Sequence, residues 1–211
     1  MRKPVSSVLV ITAAAALALG LSATTSFATT AKTWTVTPGG SITGKSTSPT
    51  LTDTNTGTKL TCKTASAAGQ AKSGKGLPGA KLATVTALSF ATCTGPAGLT
   101  FTVKTSAFPW FLNATGYNAS TGVAKGKITG GHATLSGPGC SATVDGTSAT
   151  ADNGSIAGTY TNSTHKLKAV PAGSNLHVYN VSGCLGLINN GDAAVLAGSF
   201  AITPAQKITS P

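Results

Sequence analysis

The carboxyl groups are the first side chains to test for chemistry, because acid–base catalysis on sugars needs two of them facing each other at a defined distance. The chain has four acidic residues, all of them aspartate: Asp53, Asp145, Asp152 and Asp192. Asp145 precedes Gly146, and Asp192 follows Asn190 and Gly191. Aspartate is common at such turn positions. We therefore interpret the aspartates as turn residues and expect no catalytic pair.

A serine nucleophile or a bound metal would need partner side chains at a defined spacing. Ser163 and Lys166 satisfy Ser-x-x-Lys, but they lie between apparent strands, whereas that motif has to place both side chains on one helical turn. His132, His165 and His177 show no ligand spacing with the cysteines, and no Cys-x-x-Cys occurs. We expect the histidines on solvent-facing strand positions, and a protein that is not an enzyme and holds no metal or cofactor.

The segment Ser106–Asn118, SAFPWFLNATGYN, contains four of the ten aromatic residues that remain after residue 28. Alternation along a strand would place Trp110 and Leu112 on the core face and Phe111 on the opposite face. Pro109 cannot donate a ladder hydrogen bond, so the strand is expected to lie at an edge or to begin directly after it. The segment is therefore predicted to fill the core with most of its aromatic residues.

Phe111 is the exception, because an outward aromatic residue, here with Tyr117 as a neighbour, is the kind of side chain with which β-proteins grip sugars and partners. Lys125 and Lys127 are two residues apart, which puts two ammonium groups on the same exposed strand face. The candidate ligand-binding residues are Trp110, Phe111, Tyr117, Lys125 and Lys127.

Positive charge without arginine limits the expected partners. Thirteen of the 15 basic residues lie after residue 28 and all are lysine, against 4 aspartates, so the formal charge of this part is near +9. Arginine is the residue that reads and stacks on bases, so no nucleic-acid partner is expected. The lysines favour solubility and protect strand edges, and they predict weak attraction to an anionic cell-wall polymer, a lipid head group or a glycan.

The N-terminus has the three parts of an export signal: the basic stretch MRKPVSS, the apolar run Val8–Leu21, and small residues up to Ala28. The apolar run has 14 residues, short of the roughly 20 that a spanning helix needs. The sequence predicts a cleaved signal peptide at 1–28, with cleavage after Ala31 as the alternative. It also predicts one secreted or envelope-associated domain over 29–211, without a transmembrane segment.

Four cysteines in an exported chain predict two disulfides. Of the three pairings that four cysteines allow, we expect Cys62–Cys93 and Cys140–Cys184, because in-order pairing matches a faint internal duplication. Each proposed half, about 33–130 and 131–211, has an early cysteine, a strand ending in Cys-x-Gly, a turn and another strand. The duplication suggests two similar disulfide-bonded sheets.

Period-two alternation of apolar residues recurs along the chain, and Asn-Gly and Asp-Gly turns interrupt it. It is clearest in four segments: Thr33–Thr37, Leu99–Lys104, Ser155–Thr161 and 196–202. With ten to thirteen candidate strands and no helical periodicity after the signal, the fold class is all-β, either an antiparallel β-sandwich or an irregular β-barrel with two disulfides. Ala65–Lys81 does not alternate, so we expect an exposed mobile loop or a weak hairpin there.

Several segments together carry a family resemblance: Trp34–Gly40, Leu51–Gly57, Pro109–Trp110 with Leu112–Gly122, Leu135–Gly146, Leu176–Cys184 and Ile208–Pro211. They resemble an uncharacterised group of small exported proteins from actinobacteria. The resemblance runs along nearly the whole chain after the signal. It implies an exported, β-rich bacterial protein and assigns no functional residue.

Two functions fit these observations. The first is a secreted or cell-surface binding or structural module that acts through shallow contacts, with lysine attraction and aromatic stacking. The alternative is an extracellular carrier of a small lipid or hydrophobic ligand. The two differ in interior volume, since a carrier needs an unfilled cavity of a few hundred Å³, whereas a plain module is close-packed.

Overall fold

The computed structural model describes residues 32–211, which belong to one compact unit. The predicted signal peptide, residues 1–28, lies outside the described residues, so its cleavage stays a prediction. No helix within residues 32–211 has both the length and the apolar character that crossing a membrane requires.

Fifteen strands and one short 3-10 turn, Pro96–Gly98, make up the described part of the chain. The strands are β1 (Thr33–Thr37), β2 (Gly40–Thr47), β3 (Thr50–Asp53), β4 (Lys59–Ala71), β5 (Gly74–Pro78), β6 (Ala83–Thr94), β7 (Thr100–Ser106), β8 (Trp110–Asn118), β9 (Val123–Gly137), β10 (Cys140–Asp145), β11 (Gly154–Thr161), β12 (Lys166–Ala169), β13 (Leu176–Ser182), β14 (Ala193–Thr203) and β15 (Lys207–Thr209). The all-β prediction is confirmed.

Strand pairing closes the main sheet into a barrel with eight wall positions. Four positions are single long strands, β4, β6, β9 and β14, and each of the other four is made of two short strands in line: β2 with β3, β7 with β8, β10 with β11, and β12 with β13. Each position pairs antiparallel with the next along the chain, and β14 pairs back to both β2 and β3. Of the two predicted architectures, the structure is therefore the barrel, with an up-and-down order of strands.

The broken positions divide the barrel into two halves along its axis. One half contains β2, β8, β11 and β12, together with the parts of the long strands that pair with them. A separate three-stranded sheet, in the order β15-β1-β5, packs at this half. We call the small sheet the lid and this half the lid half. The other half, with β3, β7, β10 and β13, contains both disulfides, and we call it the disulfide half.

The lid packs against the barrel because buried apolar residues alternate with threonines along β1. Trp34 and Val36 are each 1 % exposed and face a cluster that includes Leu82, Ala124 and Tyr160, as the sequence predicted for one face of β1. Buried polar contacts fix the lid. The Tyr160 hydroxyl donates to the Gln206 carbonyl oxygen at 2.7 Å, and the Gly39 N–H donates to Gln206 Oε1 at 2.9 Å. Asn162 exchanges two hydrogen bonds with the backbone of Ile208, each 2.8 Å long.

The predicted disulfide pairing is confirmed. Cys62 and Cys93 lie opposite each other on β4 and β6, with their Cα atoms 3.8 Å apart. Cys140 at the start of β10 bonds to Cys184, which follows β13. Both bridges therefore join neighbouring positions of the barrel wall, and no cysteine of residues 32–211 is free. Disulfides of this kind indicate an oxidising compartment.

Two sequence expectations about local structure were wrong. Ala65–Lys81 is not a mobile loop or a weak hairpin, because residues up to Ala71 continue β4 in the barrel wall and Gly74–Pro78 forms a lid strand. Residues 65–71 include no large apolar side chain, so the alternation of apolar and polar residues that indicates a strand could not be recognised there. Leu99, the first residue of the alternating segment Leu99–Lys104, was expected on the inward face of a strand with Phe101, but it precedes β7 and is 40 % exposed, whereas Phe101 packs inward.

Candidate functional site

Five exposed lysines lie on the outer wall of the lid half, and we call them the lysine face: Lys45, Lys125, Lys127, Lys166 and Lys168. They belong to β2, β9 and β12, and with the intervening β11 and β14 they span five of the eight wall positions. All five side chains point outward, because the residues that alternate with them face the barrel interior.

Strand register brings these lysines close together. Lys125 lies opposite Thr159, which lies opposite Lys168. Lys166 lies opposite Ala201, which in turn lies opposite Lys45. Neighbouring strands are about 4.8 Å apart, so the two lysines of each pair lie on the order of 10 Å apart. That spacing is close to the screening length at physiological salt, about 8 Å, so the positive potentials overlap.

The carboxylates are segregated from these lysines. Ten lysines lie on the lid half or its lid: Lys32, Lys45, Lys72, Lys75, Lys81, Lys125, Lys127, Lys166, Lys168 and Lys207. Three more, Lys59, Lys63 and Lys104, share the disulfide half with all four aspartates. The formal side-chain charge is therefore +10 on the lid half and −1 on the disulfide half. Within residues 32–211 no lysine lies within ion-pairing distance of an aspartate, since both ion pairs found there belong to His132.

Phe111 borders the lysine face. It is half-buried on β8, and Lys81 Nζ lies 4.3 Å from the centre of its ring, a cation–π contact. The Lys81 backbone N–H donates to Asn113 Oδ1 at 3.0 Å, and Asn113 lies opposite Lys127 on β9. The predicted residues Phe111, Lys125 and Lys127 thus share one side of the barrel.

The other two predicted ligand-binding residues pack internally. Trp110 begins β8 directly after Pro109, as expected, but it is 3 % exposed, stacks on Phe108 at 5.0 Å and donates its indole N–H to the Ser106 carbonyl oxygen at 2.9 Å. It therefore cannot contact a ligand on the outer wall. Tyr117 packs edge-on against Trp34 of the lid, with 6.5 Å between ring centres. Its contact is with the lid rather than with Phe111.

The structure gathers His132, Asp145 and Asp152 where the disulfide half adjoins the lid half, which sequence spacing did not reveal. His132 Nδ1 lies 2.9 Å from Asp145 Oδ2 and 3.0 Å from Asp152 Oδ1. His132 is therefore not the solvent-facing strand residue that we expected, since only 15 % of its side chain is exposed. One ligand atom from each of the three residues would fit around a cation, since these atoms lie within 4.8 Å of one another.

Hydrogen bonds from the backbone already occupy the carboxylate of this cluster. Asp145 Oδ1 accepts the N–H groups of Gly146, Asn153 and Gly154 at 2.6–3.2 Å, and Oδ2 accepts that of Asp152 at 2.9 Å as well as contacting His132. Burial raises the pKa of the Asp145 carboxyl, but these hydrogen bonds outweigh burial and hold the pKa below its ordinary value of 3.8. The arrangement fastens the connection between β10 and β11.

The other two histidines lie at different places in the barrel. His177 Nδ1 lies 3.1 Å from the Gly146 carbonyl oxygen, which also accepts the Tyr179 hydroxyl at 2.9 Å. His165 lies in the turn between β11 and β12, at the far end of the lid half. The structure thus brings His177 near the Asp145 connection and keeps His165 away from it.

An apolar cavity of about 100 Å³ lies inside the lid half, and a second of about 50 Å³ lies towards the disulfide half. Leu88, Trp110, Ile156 and Leu196 border both cavities. Sequence reasoning could not predict the volume, because it depends on how closely the strands of the wall approach.

Fold and site together define a disulfide-bonded, all-β barrel whose outer wall is cationic at one half. The sequence matches no family model, no curated protein and no solved structure. The resemblance to exported actinobacterial proteins stays an expectation, and function is inferred from the geometry of residues 32–211.

Proposed function

We propose that this protein is a secreted or envelope-associated, non-enzymatic binding module that holds an anionic polymer of the cell envelope on its lysine face. The observation that supports this proposal is charge segregation: ten lysines without a single aspartate on the lid half. Unpaired ammonium groups attract anions over a distance of several ångströms and raise their local concentration. The basic and apolar N-terminal segment and the two disulfides support export.

Among the anionic partners, the curvature of the barrel wall favours a flexible polymer over a flat membrane. The lysine face covers five of eight positions around a closed wall, so a planar bilayer touches only some of these lysines at once. A chain with repeating phosphate or carboxylate groups can follow the wall and meet each lysine in turn. Single exposed ion pairs contribute at most about 1 kcal/mol, so affinity arises from several contacts on one chain.

Lysine chemistry argues against nucleic-acid sequence recognition. An ammonium group acts as a point charge, whereas base recognition uses the planar fork of arginine, and the described chain has no arginine. Phe111, held under Lys81, offers an aromatic surface at the border of the face. A sugar unit of an anionic glycan can pack on such a ring.

Binding of poly(glycerol phosphate) at two salt concentrations tests the proposal. We expect the wild-type protein to bind at 20 mM NaCl and to lose at least tenfold in affinity at 300 mM NaCl, because salt screens exposed charges. Replacing all five lysines of the lysine face by glutamine should reduce affinity at least tenfold at low salt. The control variant Lys59→Gln/Lys63→Gln/Lys104→Gln removes charges from the disulfide half and should bind within about twofold of wild type. Equal weakening by both variants would refute the lysine face as the site.

A carrier of a hydrophobic ligand is the second candidate, and the closed barrel with an apolar interior favours it. The larger cavity measures about 100 Å³, whereas sites for lipid-sized ligands measure a few hundred Å³. The interior as it stands is too small for a lipid chain.

A further inference from the structure

We infer that the barrel interior is a binding site for one small, uncharged apolar molecule of about the size of a benzene ring. The site is the cavity of about 100 Å³ inside the lid half. Lys125, Lys127 and Lys168 are among the residues that line it, but their side chains point outward from the wall, so the cavity and the lysine face lie on opposite sides of the same strands. The inference does not depend on the function proposed above.

The cavity exists because small residues occupy many of its inward positions. Examples are Gly44, Gly126, Gly158, Ala67, Ala83 and Ala169. A Cβ atom on Gly158 would lie 2.9 Å from the Lys168 carbonyl oxygen of the next strand, and one on Gly126 would lie closer still to that of Asn113. Glycine at these positions lets neighbouring strands approach closely. The closely paired wall therefore leaves the interior unfilled.

The chemistry of the lining selects an uncharged apolar occupant. Apart from the small residues, Thr43, Thr84, Tyr160 and the three outward-pointing lysines, the lining consists of leucine, isoleucine, valine, phenylalanine and tryptophan. Tyr160 also lines the cavity, but its hydroxyl donates to the Gln206 carbonyl oxygen and accepts the Gln206 N–H. Water needs two to four polar partners to occupy a cavity, so apolar cavities stay dry and are open to apolar ligands. A charged or strongly polar ligand would lose its hydration without compensation.

The volume of the cavity sets the upper limit for the size of the ligand. A second cavity of about 50 Å³ shares lining residues with the first, among them Trp110 and Leu88. An apolar cavity of about 150 Å³ accommodates benzene in a packed protein interior. The cavity of about 100 Å³ is smaller than that, so we take benzene as the upper limit for the size of its occupant. A fatty-acid chain does not fit.

The wall offers a route of entry. β6 pairs with its neighbours β7 and β8 only near its two ends, at Val85 opposite Trp110 and at Cys93 opposite Phe101. Between these points the Thr105 hydroxyl, not a backbone N–H, donates to the Leu88 carbonyl oxygen. Leu88 borders both cavities. We therefore place the entry route at the stretch of wall between Val85 and Cys93, where β6 has no paired neighbour on this side.

Titration with benzene, followed by methyl and indole NMR signals, tests the inference. We expect saturable binding of one benzene per protein, with ring-current shifts at Leu88, Ala169 and Trp110. Dodecanoate should produce no shifts at these groups. Absence of saturable benzene binding by the folded wild-type protein would overturn the inference. Shifts at these groups on addition of dodecanoate would overturn the size limit.

A filling variant and a matched control locate the site. Ala67→Leu adds the same group inside the cavity that Ala201→Leu adds on the exposed outer wall. Ala67→Leu should weaken benzene binding at least tenfold, and Ala201→Leu should bind as wild type does. Ala169→Val is the smaller filling change if Ala67→Leu does not fold, and the wild-type shifts locate the site without any variant. Unchanged affinity in a folded filling variant would contradict the inference.

Discussion

The Asp145 carboxylate shows how one buried side chain organises a connection that has little apolar content. Its side chain is 0 % exposed, yet it remains ionised because four backbone N–H groups and His132 donate to its two oxygens. Hydrogen bonds to a charged group contribute more than those between neutral groups. The connection 146–153 is therefore held by electrostatics rather than by packing.

Asp145→Asn should lower the free energy of unfolding by about 3 kcal/mol, because an amide cannot accept all of these hydrogen bonds and turns N–H donors towards backbone donors. Urea unfolding followed by circular dichroism measures the change. The exposed Asp152→Asn, which also contacts His132, is the control and should cost less than about 1 kcal/mol. Equal losses in both variants would contradict the assigned role.

The dependence of stability on pH should show the contribution of the Asp145 carboxylate to the free energy of unfolding. Its folded-state pKa lies below the ordinary value of 3.8, so its stabilisation is fully present above that value and is lost as the pH falls below it, where the unfolded chain binds the proton first. The unfolding free energy of the wild-type protein should therefore drop more steeply below about pH 4 than that of Asp145→Asn. Parallel pH profiles of the two proteins would contradict this expectation.

At the scale of elements, alternation predicted the strands that carry large apolar residues but not those built from small ones. Trp34 and Val36 face the core as their spacing indicated. The Ala65–Ala71 part of β4 gave no signal, because it contains only alanine, glycine, serine and glutamine and no large apolar side chain. The grouping of Lys45 with Lys166 was equally hidden. Their proximity depends on β14 lying between two strands that are far apart in the sequence.

Trp34→Ala should destabilise the protein by about 3–5 kcal/mol, because Trp34 is nearly fully buried between the lid and the barrel and truncation leaves a cavity. Urea unfolding gives the value. Thr35→Ala, on the opposite face of β1, should change it by less than about 1 kcal/mol. A loss below about 1 kcal/mol for Trp34→Ala would show that the lid does not stabilise the barrel.

At the scale of the whole molecule, the barrel separates two tasks between its halves. The disulfide half contains both covalent bridges and every aspartate, whereas the lid half presents ten lysines around an apolar interior. The sequence predicted a basic protein of all-β class with the correct disulfides. It could not predict that most lysines lie on one half of the barrel and the aspartates on the other, because that requires knowing which strand segments lie at which end of the wall.

Mapping the backbone amide shifts of the isotope-labelled protein during titration with poly(glycerol phosphate) at low salt shows whether the polymer binds on the lysine face. We expect saturable shifts concentrated around Lys45, Lys125 and Lys168 on the outer wall of the lid half, reversed by 300 mM NaCl. Shifts centred on the disulfide half, or no saturable shifts in the folded protein, would contradict it.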